Sequence, residues 1–299
     1  MWVLASLNAA LFFALRFVYI KRFLPHVSSV VLALSGRFFS FLFLLPLLAF
    51  NSLAVTDSIL FWKTIAVTAG FTAIASLLQL HAVKKYDLSE SLPFMSFIPF
   101  FMLISVYLIF GEIPTGRSLW GIVILSCGAY VIGLEGKTSF LQPFLSLLKN
   151  RGGLMFLGVA FIYGFTTTLD RVAIDSAGGG AFAYSFYWNL FSVFLFLTMF
   201  LNFKKAPGYI RELKNEKWHL AVQGLFGIIA FYSQMLGIEW AKDVAANVIY
   251  VKALTLLQML IGVVFGVVLF KERNWRSRFA GALLMLAGAV MLILFFESK

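Results

Sequence analysis

Apolar runs follow one another along almost the whole chain, separated by short polar breaks. A helix needs about 20 mostly apolar residues to cross a bilayer. A buried helix of a soluble protein would show a polar face at helical period, whereas these runs are apolar nearly all round. The pattern predicts ten spans, at about 2–20, 28–50, 60–82, 89–110, 117–134, 153–172, 181–201, 218–238, 244–269 and 277–296. The substantial polar connections are 136–151 and 202–217. The second, NFKKAPGYIRELKNEK, predicts a short surface helix around Ile210 to Glu216. Neither connection is long enough for a soluble domain.

The pattern repeats. Span four carries Pro93 and Pro99, ends in Gly111-Glu112, and is followed by a span with Gly121 and Gly128. Near the C-terminus Glu272, Gly281 and Gly288 stand at a constant offset of 160 from Glu112, Gly121 and Gly128. Earlier, Lys21 aligns with Arg171 and Phe50 with Phe200 at an offset of 150, which sets Arg37 opposite Tyr187. Gln79 aligns with Gln234 at an offset of 155. An odd number of spans per copy means that the copies enter the membrane in opposite directions. The fold class expected is therefore an all-α polytopic membrane protein, ten transmembrane helices as two inverted five-helix repeats. The first repeat covers residues 1–135, a connecting loop 136–151, and the second repeat 152–299.

Composition agrees with a membrane class. Of 299 residues, 61% are hydrophobic and only 12% charged, with a mean hydropathy of +0.93; soluble domains are about a quarter charged. The formal charge of +11 resides mostly in loops, which argues for basic membrane loops and against nucleic acid as a partner. Loops after odd spans carry Lys21, Arg22, Lys84, Lys85 and the basic stretches 137–151, 204–217 and 271–278. Loops after even spans carry Lys63, Arg117, Arg171 and Lys242. The positive-inside rule puts the odd loops in the cytoplasm and both termini outside. The first span lacks a basic flank and a clear cleavage site, so no cleavable signal peptide is expected. Cys127, the single cysteine, offers neither a disulfide nor a metal cluster.

These marks resemble the drug/metabolite transporter superfamily, in particular its ten-helix EamA-like branch. They are Arg37 in the LSGRFF context, a proline-bearing span ending in Gly111-Glu112, Trp120-Gly121 opening the next span, Gly128 and Gly133 closing it, and the second copy at Lys271-Glu272, Gly281 and Gly288. The likeness covers nearly the whole chain. It departs at span nine, which lacks paired prolines, and at Arg16, where an uncharged residue is usual. What the resemblance implies is a carrier moving small metabolites by alternating access.

Ionisable groups inside a span cost about 2.5–3.5 kcal/mol each on insertion scales and usually face a cavity or a partner. Three cations meet this description: Arg16, Arg37 and Lys252. Arg16 lies one turn from Lys21 and could instead snorkel; Arg37 could instead hold a structural partner. Glu90, Asp170 and Glu239 read as acids near span ends, with Glu90 the candidate for proton coupling. Polar stripes join them: Asn8, Phe12 and Arg16 on span one; Thr72, Ser76 and Gln79 on span three; Tyr163, Thr167 and Asp170 on span six; Gln223 and Gln234 on span eight; Asn247 and Tyr250 on span nine. The alternative for each single residue is an interhelical hydrogen bond, commonly worth about 0.6 kcal/mol. As a set, Asn8, Arg16, Arg37, Gln79, Glu90, Tyr163, Tyr187, Gln234, Asn247, Tyr250 and Lys252 predict a central substrate site. Glu112 and Glu272 are expected to cap the helix that follows each. Gly262 and Gly266 suggest close helix approach, and Gly178-Gly179-Gly180 a flexible connection.

The function expected is a secondary transporter or exchanger of a small polar metabolite, the intramembrane cations pointing to an anionic group. A lipid or lipid-phosphate flippase is the alternative. His26, His81 and His219 lie near span ends, and no nucleophile–base pair is apparent, so no enzymatic activity and no cofactor are expected. The partners expected are a small-molecule substrate, the lipid bilayer, and a proton or counter-substrate. The location expected is the plasma (inner) membrane, multi-pass.

Overall fold

A computed structural model describes residues 1–85, 92–114, 116–133, 151–200, 206–270 and 275–295. Its helices are α1 (Trp2–Phe23), α2 (Ser29–Leu44), α3 (Ser58–Lys85), α4 (Ile98–Phe110), α5 (Gly116–Gly133) and α6 (Arg151–Asp175), then α7 (Gly180–Phe200), α8 (Ala206–Asn215), α9 (Lys217–Trp240), α10 (Asn247–Thr255), α11 (Leu257–Phe270) and α12 (Trp275–Leu294). Six helices are long and apolar enough to cross a membrane, and shorter apolar ones occupy Phe94–Phe110, Gly116–Val131, Asn247–Gly262 and Phe279–Leu294. Together they fall on the apolar stretches of the sequence. No strand occurs among the described residues.

The copies pack helix against counterpart. Helix α1 lies along α9 while its counterpart α6 lies along α3; α2 meets α7 and α5 meets α12. The α5–α12 seam shows the relation atom by atom. A Cβ on Gly128 would fall 2.7 Å from the Gly281 carbonyl oxygen and the Met285 side chain, and one on Gly288 would fall 2.7 Å from the Leu125 Cα. Met285 and Leu125 are themselves related by the offset of 160. A Cβ on Gly121 would meet Leu292 at 3.0 Å. As residue numbers rise along α5 they fall along α12, so the two helices run antiparallel and exchange equivalent contacts. These glycines occur where backbone meets backbone and no side chain fits.

Several spans are interrupted. Span four begins as a 3₁₀ turn, Leu92–Phe97, and becomes α4 at Ile98, with Pro99 in its first turn. There proline's missing N–H costs nothing, so the expected break is present. Span two, expected as one helix to residue 50, stops at Leu44 and ends in a 3₁₀ turn, Leu45–Ala49, because Pro46 cannot continue the α ladder. Span nine, predicted over 244–269, is divided at Leu256 into α10 and α11. The Thr255 hydroxyl donates to the Lys252 carbonyl at 2.7 Å, and the Leu256 N–H turns back to Ala253 at 3.0 Å. A side chain thus takes over a carbonyl at the break.

Other connections are also tighter or longer than expected. The surface helix α8 starts earlier than predicted, at Ala206, and its Glu212 carboxylate accepts the Ser28 N–H at 2.8 Å, capping the start of α2. The 178–180 turn is not a loose connection. The Gly179 N–H donates to the Ala54 carbonyl, Gly180 adopts φ 58°, and a Cβ on Gly179 would collide with the Ser52 carbonyl. Gly262 has nothing within 4 Å of where a Cβ would stand, so it makes no close helix approach. Glu112 caps a helix of the other repeat. It accepts the Ala246 N–H at 3.2 Å, at the start of α10 in the other repeat. Glu90, Glu272 and the 136–150 connection lie outside the described residues.

Candidate functional site

Helix α9 carries Gln223, Gly227, Phe231 and Gln234 at spacings of four, four and three, one stripe on its surface. Each intramembrane cation meets this stripe. Arg16 donates from Nε to the Gln223 Oε1 at 3.0 Å, and its guanidinium lies beside Gly36 and Gly227, where added Cβ atoms would fall 2.9 and 3.4 Å from it. Arg37 lies over the Trp188 ring at 4.4 Å and near Phe231 at 5.9 Å. Lys252 donates to the Gln234 Oε1 at 3.4 Å and approaches the Tyr163 ring at 5.9 Å. From Gln223 to Gln234 the helix rises about 16 Å. Three cations are therefore strung along one face at successive depths.

The carbonyl end of Gln223 is the one turned to Arg16, because its amide NH₂ donates to the Leu32 carbonyl at 3.2 Å and the Ser35 hydroxyl at 3.3 Å. The snorkelling alternative for Arg16 is thereby answered: the side chain turns inward, between α2 and α9. Asn8, two stripe positions before Arg16, donates to the Ser233 hydroxyl at 2.7 Å, and Phe12 stands 5.9 Å from Phe226. Asn8 thus serves the α1–α9 seam.

A second polar chain joins α3, α6 and α7. Tyr163 donates to the Gln79 Oε1 at 3.3 Å and also engages Ser76. Tyr184 donates to the Asp170 carboxylate and lies 3.4 Å from the Thr68 hydroxyl. The sequence pattern puts Asp170 near an interface. Helix α6 instead runs on to Asp175, and Asp170 is 7% exposed, the one buried carboxylate among the described residues. Lys252 lies within its electrostatic reach. The ion pairs of the described residues, His26–Glu216 and Arg171–Asp175, do not include it.

The structure does not gather every expected residue. Tyr187 donates to the Leu53 carbonyl at 3.4 Å and packs edge-on against Phe61 and Trp62. It belongs to an aromatic cluster at the end of α2, not to the cation stripe. Asn247 and Tyr250 are buried in α10 at 0% and 1% exposure.

Arg171, a loop cation by the sequence pattern, is buried inside α6. It donates to Asp175 at 2.6 Å and to the Ile238 and Lys242 carbonyls at 3.2 and 2.8 Å. There it holds the C-terminal end of α9, where carbonyls lack helical partners. Glu239 accepts the Ala181 N–H at 3.1 Å and steadies the start of α7. Asp170 and Gln223, which the sequence pattern puts on polar stripes, and Tyr184, Thr68 and Trp188, which it did not single out, complete the interior group. For Gln223, Asp170 and Thr68, a polar side chain in an apolar run was the available signal.

Antiparallel helical repeats enclosing a polar, net cationic interior define a class: a polytopic membrane protein with a polar interior. The family model of the EamA-like transporter family matches residues 1–134 and again 150–294. The chain belongs to that family, whose members are membrane transporters. Comparison with curated proteins gave no match. A solved crystal structure has the same fold, with a TM-score of 0.75, 14% sequence identity, and coverage of 100% of this chain and 99% of its own.

Proposed function

We propose that the protein is a secondary transporter or exchanger that moves a small polar metabolite with an anionic group by alternating access. The observation that carries this reading is the cation stripe on α9: Arg16, Arg37 and Lys252 inside the bundle, with Asp170 the one buried carboxylate among the described residues. Intramembrane cations cost about 2.5–3.5 kcal/mol each on insertion scales. An anion that meets these charges during the working cycle would offset that cost. The solute is that anion. Gln79, Tyr163 and Gln234 supply neutral hydrogen-bonding groups around it, as transport sites near the membrane midplane do.

The interruptions at Phe97/Ile98 and at Leu256 lie in equivalent spans of the two repeats, and they give the bundle places to bend. Alternating access would then rock one repeat against the other about the α5–α12 seam. A counter-substrate or a proton returns the empty carrier. We read it as a multi-pass protein of the plasma membrane, and its basic loops favour cytoplasmic odd-numbered connections.

The test is a thermal-stability screen of purified protein against amino acids, sugar phosphates, nucleotide sugars and quaternary amines. The reading predicts stabilisation by anionic solutes, lost in Arg37→Gln and Lys252→Gln. Stabilisation by quaternary amines alone, unchanged in both variants, would overturn it.

A further inference from the structure

Arg171 shows how this protein treats an arginine used for structure. Its Nε meets a carboxylate, and each terminal nitrogen meets a main-chain carbonyl. Arg16 and Arg37 are treated differently. Among the described residues, Arg16 commits only its Nε to an acceptor, the Gln223 carbonyl. Arg37 makes no hydrogen bond or ion pair within the described residues and is held by ring contacts with Trp188 and Phe231. A guanidinium packed on aromatic rings keeps its donor fork for another group. Beside it, the Trp188 indole N–H is buried at 3% exposure with no acceptor among the described residues.

Charge sorts the three cations further. Lys252 and Asp170 lie within each other's electrostatic reach. A terminal nitrogen of Arg16 lies 2.9 Å from where a Cβ on Gly36, the residue before Arg37, would stand, and the ion pairs of the described residues include neither arginine. Two positive charges therefore remain in one place, with forked donors to spare. A monoanion would leave one of them uncompensated.

Resting on the transporter reading above, we propose that Arg16, Arg37 and the Trp188 N–H form the seat of a divalent oxyanion of the phosphate-monoester class. A tetrahedral dianion matches both the charge and the two forks, which bind such oxygens bidentately. Lys252 and Asp170 then face the rest of the solute. The phosphate monoester could belong to a soluble metabolite or to a lipid headgroup, and the same chemistry serves both.

Methyl phosphate and methyl sulfate have one shape and differ in charge, so calorimetric titration of the purified protein with each is the test. Methyl phosphate should bind at least about tenfold tighter at about pH 8, and its advantage should fade as the pH drops below about 6, where phosphate regains its second proton. Arg16→Gln and Arg37→Gln should each weaken methyl phosphate at least about tenfold, and Arg37→Lys, which keeps the charge but loses the fork, should weaken it nearly as much. Lys214→Gln, removing an exposed cation on α8, should change nothing. In nanodiscs, stabilisation by phosphatidate over phosphatidylglycerol, dependent on Arg37 and without binding of methyl phosphate, would support the seat and assign it to a lipid. Equal binding of the two methyl esters would overturn the proposal. So would Arg37→Lys binding methyl phosphate at full strength, or no phosphate compound binding at all. In each case the transporter reading survives if another solute class stabilises the protein through Lys252.

Discussion

Replacing Gly128 or Gly288 with alanine probes the seam between α5 and α12 where the two repeats meet. At Gly128 the new Cβ would lie 2.7 Å from the Gly281 carbonyl oxygen, and at Gly288 it would lie 2.7 Å from the Leu125 Cα. Carbon atoms in good contact stand about 3.5–4.0 Å apart, so α5 and α12 must separate by about 1 Å. No rotamer change relieves this, because the atoms met are main chain. Overpacking of this kind costs about 1–3 kcal/mol per site. One separation relieves both sites, so the double variant should cost less than the two singles combined. Gly121→Ala should cost less than either, since a Leu292 side chain at 3.0 Å is much of what it meets. Gly70→Ala is the control. Nothing stands within 4 Å of its Cβ position, and alanine favours a helix over glycine by about 0.8–1.0 kcal/mol. Reversible unfolding in mixed micelles, followed by tryptophan fluorescence, reads all of these. If Gly128→Ala and Gly288→Ala unfold like Gly70→Ala, the antiparallel glycine seam is wrong.

Three further outcomes follow from single contacts. Glu112→Ala should lower stability by about 1 kcal/mol through loss of a cap, with faster amide exchange confined to the start of α10; unchanged exchange there would rule out the Glu112–Ala246 contact. Tyr184→Phe removes the hydroxyl donated to Asp170 and should cost about 1.5–3 kcal/mol, the usual worth of a hydrogen bond to a charged group, while Tyr187→Phe, whose bond to Leu53 is long and neutral, should cost less; equal losses in the micelle assay would argue against a buried, hydrogen-bonded Asp170. Arg171→Ala leaves the Ile238 and Lys242 carbonyls without their donor and should destabilise by roughly 3 kcal/mol without altering solute affinity; a selective loss of affinity would place Arg171 in the site instead.

Spans, repeat offsets and the Gly121/Gly128 and Gly281/Gly288 marks were legible because each is a local property of composition or spacing. The prolines of span four announced its break. The break at Leu256 had no such marker, since no proline or glycine stands between Asn247 and Ile261. It depends on the Thr255 hydroxyl taking over a carbonyl. The apolar pattern ends α6 three residues early, and the burial of Asp170 within the bundle was not legible from it. The partners of Glu112 and Gln223 lie in the opposite repeat. Spacing along one chain cannot state which antiparallel neighbour a side chain will meet. Arg16, Arg37 and Lys252 were visible as charges in apolar runs. Their common contact with one stripe of α9 appears only once the helices are packed.

Counterflow in proteoliposomes tests the central claim most directly. Vesicles containing the protein and loaded with one unlabelled anionic solute from the stability screen should take up the labelled solute transiently, against its gradient. The uptake should saturate, and it should be lost in Arg37→Gln and Lys252→Gln while Lys214→Gln retains it. Uptake that persists undiminished in both site variants, or movement of lipid alone with no solute exchanged, would contradict a solute site on the cation stripe of α9.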